Sequence, residues 1–211
     1  MKERPILFSA PMVRSILAGT KTQTRRALKP QPIYDGRFAG GWKVVGKNGH
    51  EAATCSPLIA ELCPYGQPGD RLWVRETFCH QWNDMTGYHD DKFWYRASTP
   101  DVEHVDGDAK SPWKPSIHMP RAASRITLEI TGVRVERLQG ISEADAEAEG
   151  CAKNHIGYYW GGPHAVSGRK QMATAQSAYR DVWESINGAG SWDVNPWVWI
   201  VEFKRVEGSA T

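Results

Sequence analysis

Residues 20–26, Thr20-Lys21-Thr22-Gln23-Thr24-Arg25-Arg26, hold one amine, three hydroxyls and two guanidinium groups. These are a candidate base, candidate nucleophiles and candidate anion binders in one short segment. An ordinary lysine is a solvated surface charge. A lysine removed from water can give up its proton and then activate a hydroxyl or a water molecule. Lys21 and Thr24 stand three residues apart, so in an extended segment they point to opposite faces. A turn or bulge is required if both are to meet one substrate.

Glu149 is the second candidate. It is expected in the last turn of a short helix, where the negative end of the dipole disfavours a charged carboxylate. A carboxyl that keeps its proton suits a general acid. The competing reading makes Glu143, Glu147 and Glu149 a solvated acidic face. Arg25 and Arg26 alternate, so one can point inward to a phosphate or carbonyl, unless both are surface charges. Thr22 adds a hydroxyl beside them. His118 and Arg121, in Ser116-Ile117-His118-Met119-Pro120-Arg121, can line a pocket, although a lone histidine also serves as a structural hydrogen-bonder. Tyr158, Tyr159 and Trp160 can stack on a base or fill a core. The P-loop, Rossmann glycine and HExxH patterns do not occur.

The elements that must position these groups show as patterns. Ser9 and Pro11 open a helix whose Val13, Ile16 and Leu17 share a face, and Gly19 ends it. Residues 27–68 are irregular, with a hairpin near Trp42–Val45. Pro68-Gly69-Asp70 turns into a strand over Arg71–Glu76. Residues 79–124 are irregular again, with a strand at Phe93–Arg96 and an exposed loop over 99–116. Ile126, Leu128, Ile130, Val133 and Val135 alternate along a long strand with a bulge at Gly132. Ser142 and Asp145 form a capping box for a helix that stops at Gly150. Residues 151–168 are a loop rich in glycine and aromatics. Met172, Ala175, Tyr179, Val182 and Ile186 predict a helix over 169–186, ended by Asn187-Gly188. Trp197–Phe203 is the closing strand. Strands with segregated helices predict a small α+β barrel.

The chain has 211 residues, which suits one domain with elaborations, and its 40% hydrophobic content supports a true core. Ten tryptophans serve either a core or base stacking. A net charge of +2 argues against a protein that wraps nucleic acid. Yet Lys2, Arg4, Arg14, Lys21, Arg25, Arg26 and Lys29 face only Glu3 within residues 1–29, which leaves room for a local basic patch. No apolar run approaches the roughly 20 residues that span a bilayer. With no signal-peptide pattern at the start, a cytoplasmic protein without a membrane partner is expected. Cys55, Cys63, Cys79 and Cys151 show no CxxC spacing and read as free thiols. A zinc site from Cys55, Cys63, Cys79 and His80 can be drawn but does not follow metal-ligand spacing. No metal and no cofactor is expected.

The sequence resembles the ASCH domain family, a PUA-like β-barrel fold. Four pieces carry the resemblance, in order. They are Ile16-Leu17-Ala18-Gly19 leading to Lys21, Thr22, Thr24 and Arg26; Pro68-Gly69-Asp70 with its strand; Ile141 through Gly150; and Val201-Glu202-Phe203. The resemblance implies a single domain over 1–211, an α+β barrel with flanking helices and insertions at about 27–67 and 79–120. The pattern with both insertions, including Pro115–Arg121, also looks like proteins encoded in phages and prophages. A bacterial host or a phage is therefore the expected origin.

Small bacterial members of the family hydrolyse N4-acetylcytidine to cytidine and acetate. By similarity their lysine, threonine and glutamate correspond to Lys21, Thr24 and Glu149. The implied chemistry is amide hydrolysis: Thr24 or a water attacks the acetyl carbonyl, Lys21 acts as base and Glu149 protonates the leaving amine. Substrate binding is expected from Arg25, Arg26, Thr22, His118, Arg121 and Tyr158. The implied partner is a modified nucleoside or a nucleic acid. Two alternatives stand beside this: a non-catalytic RNA- or DNA-binding module of PUA type, and a phage accessory protein that binds a host protein. A binding module has no need of a carboxylate beside its anion binders.

Overall fold

Side chains alternate across a strand, and the closing strand of this chain is apolar on both faces. That pattern makes it the centre of the fold. The computed structural model describes residues 1–46, 49–83, 88–99, 113–153, 157, 159–160 and 171–206. In chain order the elements are β1 (Glu3–Leu7), α1 (Ala10–Leu17), β2 (Gln23–Ala27), β3 (Ile33–Tyr34), β4 (Trp42–Val45), β5 (Glu51–Ala53), β6 (Arg71–Arg75), β7 (Phe78–Asn83), β8 (Tyr88–Tyr95), β9 (Thr127–Arg137), α2 (Glu143–Ala148), β10 (Tyr159–Trp160), β11 (Gln171–Met172), α3 (Ala175–Asn187) and β12 (Trp197–Arg205). The protein is mixed α+β, with more sheet than helix.

Five strands form the main sheet in the order β1-β6-β9-β12-β2. β1 runs parallel to β6, and the other neighbours are antiparallel. β9 and β12 pair from Trp197 opposite Arg137 to Arg205 opposite Leu128, with a bulge between Glu202 and Phe203. Gly132 sits at that bulge, as the alternation predicts. A Cβ there would come within 2.5 Å of the Glu202 Oε2. Among the described residues the sheet does not close, and β1 and β2 are its edges. The edges nevertheless approach each other: Arg26 of β2 donates from Nη2 to the Leu7 carbonyl at 2.6 Å.

The two faces of β12 serve two cores. Trp199, Val201 and Phe203 pack with Leu72, Leu128 and Ile130 on one side. Val198 and Ile200 pack with Tyr179, Val182 and Trp183 of α3 on the other. α1 delivers Val13 and Ile16 to the first core. Leu17, expected on the same face, is 36% exposed because it lies in the last turn, beyond the sheet.

α3 begins at Ala175 rather than at residue 169. Thr174 caps it by accepting from the Ser177 N–H, and Met172 lies in β11 instead. Ile186 is 48% exposed, past the edge of the core. The segment read as an irregular insertion over 27–67 holds the three-stranded sheet β3-β4-β5, and its Val44, Ala52 and Ile59 join the first core. β7 pairs with β8, which takes in the strand expected at Phe93–Arg96 as far as Tyr95. Most of the exposed loop expected over 99–116 lies outside the described residues.

Candidate active site

Two helix ends are stitched together by backbone. α1 ends at Gly19, whose φ of +75° reverses the chain. The Lys21 N–H then donates to the Ser15 carbonyl at 3.1 Å, and the Thr22 N–H to the Ala148 carbonyl at 2.9 Å. Ser142 accepts from the Asp145 N–H and opens α2, which Glu149 caps at its C-terminus. Gly150 follows with a φ of +99°. Lys21 and Glu149 thus face each other across an isolated antiparallel bridge.

The Lys21 ammonium donates to the Glu149 Oε2 at 2.7 Å and to the Glu149 carbonyl at 2.9 Å. A cation at the exposed carbonyls of a helix C-terminus is well placed. Both side chains are buried. Arg25 donates from Nη1 to the Glu149 Oε1 at 3.3 Å, so both carboxylate oxygens are engaged. The Arg25 Nη2 lies 3.1 Å from Asp145 and 3.8 Å from Glu136. Arg134 bridges Glu136, Asp145 and Glu202 farther out. The result is a chain of alternating charges running from a buried lysine to the surface.

Burial pushes the Lys21 amine below the usual lysine range, against the pull of the Glu149 carboxylate; Arg26 adds to the lowering. Burial pushes the Tyr179 phenol well up, and the Glu149 charge adds to it. For Asp145 burial acts upward, but Arg25 and Arg134 together hold the carboxyl below its ordinary value.

Lys21, Thr24 and Glu149 line one cavity of about 70 Å³, with Arg25 and Arg26 beside them. Tyr179, Val182 and Trp183 of α3 close its far wall. Room of this size holds on the order of five water molecules. The chain turns at Ala18–Gly19, before Lys21 rather than between the pair; Lys21 stands outside β2, as an isolated bridge residue, and Thr24 is the strand's second residue. Comparison with protein-family models, curated proteins and solved structures found no match to this chain.

The other expected site residues divide. Arg26 reaches the cavity while lying over the Phe8 ring at 5.4 Å. Arg25 is inside and its guanidinium lies near three carboxylates, with Nη1 hydrogen-bonded to Glu149 while Nε and Nη2 are buried without a hydrogen-bond partner. Thr22 is exposed and does not line the cavity, because alternation from Lys21 turns it outward. His118 and Arg121 are also exposed and lie elsewhere, on single turns at Ser116–His118 and Arg121–Ala123. Glu3 holds Arg121 there through bonds of 2.8 and 3.0 Å. Tyr158 lies outside the described residues. Tyr159 fills the second core, and its hydroxyl donates to Glu147.

Nor is the acidic helix a plain solvated face. Glu143 accepts from the Ala175 N–H at 2.7 Å, at the start of α3. Of the seven N-terminal cations, Lys21 and Arg25 are buried and Arg4 pairs with Asp70 at 3.1 Å, while Lys2, Arg14 and Lys29 are exposed. None of the four cysteines is disulfide-bonded, and Cys63 and Cys79 are buried while Cys55 is exposed. Among the described residues no group of three or more His, Cys, Asp or Glu is placed to hold a metal. Among them, too, no helix is long and apolar enough to cross a membrane.

The pattern reading missed the roles of Tyr179, Trp183 and Asp145. The first two carry only the helical spacing of core residues. Asp145 announced itself as a cap, and nothing local marks it as the hub between Arg25 and Arg134.

Proposed function

We propose that this protein is an amidohydrolase that removes a small acyl group from the exocyclic amine of a modified nucleobase, as in N4-acetylcytidine. The observation that carries this reading is the buried Lys21–Glu149 contact of 2.7 Å on the cavity that Thr24 also lines. A partly desolvated amine and a carboxyl in direct contact can share one proton. With that proton on Glu149, the Lys21 amine is free to accept another. Thr24 or a water adds to the acyl carbonyl and its proton passes to Lys21; as the C–N bond breaks, Glu149 hands its proton to the leaving amine. Where Thr24 attacked, a water then adds to the Thr24 ester, giving its proton to Lys21, while Glu149, reprotonated, returns a proton to the Thr24 oxygen as the C–O bond breaks. Water is consumed, and amine and carboxylic acid are released. The pair returns to its starting state when the proton on Lys21 passes back to Glu149. The small cavity fits an acetyl-sized group.

We read the sheet as a PUA-like barrel of the ASCH kind whose β1 and β2 edges are joined by the Arg26 side chain instead of a ladder. This reading puts the protein in the cytoplasm of a bacterial host, encoded by the host or by a phage. Incubation with N4-acetylcytidine and related acylated nucleosides, followed by chromatography, is the test. A cytidine peak that grows with enzyme is expected. No turnover across the panel, together with tight RNA binding, would favour the non-catalytic module.

A further inference from the structure

The cavity at Lys21 is too small for a whole nucleoside, so the rest of any such ligand must lie beside it. A second cavity of about 600 Å³ adjoins it, and the two share Arg26, Ala27 and Asn187. That volume is in the range that holds drug-sized ligands, roughly 300–1,000 Å³. The segment after β2 and the β4 end form much of its wall, with Tyr65 and Trp199 as its aromatic surfaces. No acidic residue lines it, and its two cations are Arg26 and Lys29. Lys29 is exposed and makes no ion pair among the described residues. A third cavity continues past Lys29 to Arg137, which lies 4.6 Å over the Trp197 ring, and again has no acid in its lining.

The charges are therefore sorted. Glu149 sits at the closed end, and only cations line the open side. A neutral nucleoside gains nothing from that arrangement, whereas a phosphate does. We propose that the open groove seats the phosphorylated sugar of a nucleotide, with the phosphate at Lys29 and the acylated base directed past Arg26 toward Lys21. This inference rests on the proposed activity for the placement of the base. It adds that the substrate is a nucleotide rather than a free nucleoside.

The test is binding of the product pair, which needs no turnover. Calorimetry at low salt should show cytidine 5′-monophosphate binding roughly tenfold more tightly than cytidine, the size of one good charged contact. Lys29→Glu should erase that difference and Lys29→Arg should keep it, with thermal melting showing that both variants fold. Equal affinities, no binding of either compound, or a preference that survives in Lys29→Glu would overturn the proposal. A cytidine trinucleotide separates the two sources of phosphate: a further gain in affinity identifies a strand, and no gain identifies a free nucleotide. Absence of turnover on acylated cytidines would refute the activity but not touch this comparison, so the two failures are distinguishable.

Discussion

Lys21 and Glu149, 128 positions apart, meet twice: the ammonium donates both to the carboxylate and to the backbone carbonyl of the same residue. The second bond fixes the lysine on the helix end rather than on the mobile tip of a glutamate. Removing either side chain strips a buried charge of its nearest partner, Glu149 keeping only Arg25 at 3.3 Å and Lys21 only a backbone carbonyl, at a cost of up to about 3–5 kcal/mol. Lys21→Met and Glu149→Gln should each lose stability on that scale, and the double variant should lose less than the sum. Chemical denaturation of the four proteins measures the coupling. Turnover in Lys21→Met should drop by roughly 100- to 10,000-fold, the usual contribution of a general base. Normal rates in that variant would remove Lys21 from the mechanism.

The pH profile follows from the direction of the Lys21 shift. A base works when neutral, so kcat/KM should fall on the acid side as pH drops through the depressed lysine value. Glu149 pulls that value up and Arg26 pushes it down. Residual activity in Glu149→Gln should therefore show an acid limb moved to lower pH. Arg26→Gln should move the limb the other way. Identical limbs in all three proteins would mean that another group governs the profile.

How much of this was legible depends on the range of the interaction. β9 and β12 show in the alternation of their own residues, and the Gly132 bulge shows with them, because strand patterning is local. The end of α1 is written at Gly19 for the same reason. The meeting of Lys21 with Glu149 has no local sign, and only the family resemblance pointed to it. Long-range charge pairing also bears on two expectations. Glu3 captures Arg121 on another part of the surface, and three carboxylates lie near the guanidinium of Arg25. The start of α3 was misplaced because Met172 happens to continue the helical period, while the cap that decides the boundary is Thr174.

Arg25 should behave as a positioning residue. It touches Glu149, Asp145 and Glu136 at once, and its side chain is fully buried. Arg25→Lys keeps one charge but cannot span all three partners, because an ammonium is a single point and a guanidinium a fork. A large fall in kcat is expected with a small change in KM, along with a lower melting temperature. Arg25→Met should lose more stability, about 3–5 kcal/mol, since three acids then face one another. A KM effect alone in Arg25→Lys would show that Arg25 binds substrate instead of holding Glu149.

Gly150 tests whether the backbone sets the lysine. Its φ of +99° suits glycine alone, and an added Cβ would stand 3.1 Å from the Ser15 Cβ and 3.4 Å from the Lys21 Cβ. Gly150→Ala should cost about 1–3 kcal/mol through backbone strain. It should also reduce kcat, because the crowded neighbour is Ser15, whose carbonyl accepts from the Lys21 N–H at 3.1 Å. Gly190→Ala is the control: its φ is also positive, at +77°, but a Cβ there meets nothing within 4 Å. Stability should fall in both variants and turnover only in the first.

The cysteines give a check on the packing that needs no substrate. Burial pushes the Cys63 thiol up to about 11 and also raises that of Cys79. The thiolate is the reactive form, so both should be inert near pH 8. Cys151 is buried in the second core, and Cys55 is exposed. A coloured disulfide reagent should therefore titrate one thiol quickly in the native protein and the other three only after denaturant is added. Cys55→Ser should abolish the fast phase. A second fast thiol in native protein would mean that one of the cores opens on the reagent's timescale. Since Cys151 packs beside the helix end that carries Glu149, its protection should also rise when a ligand fills the cavity at Lys21.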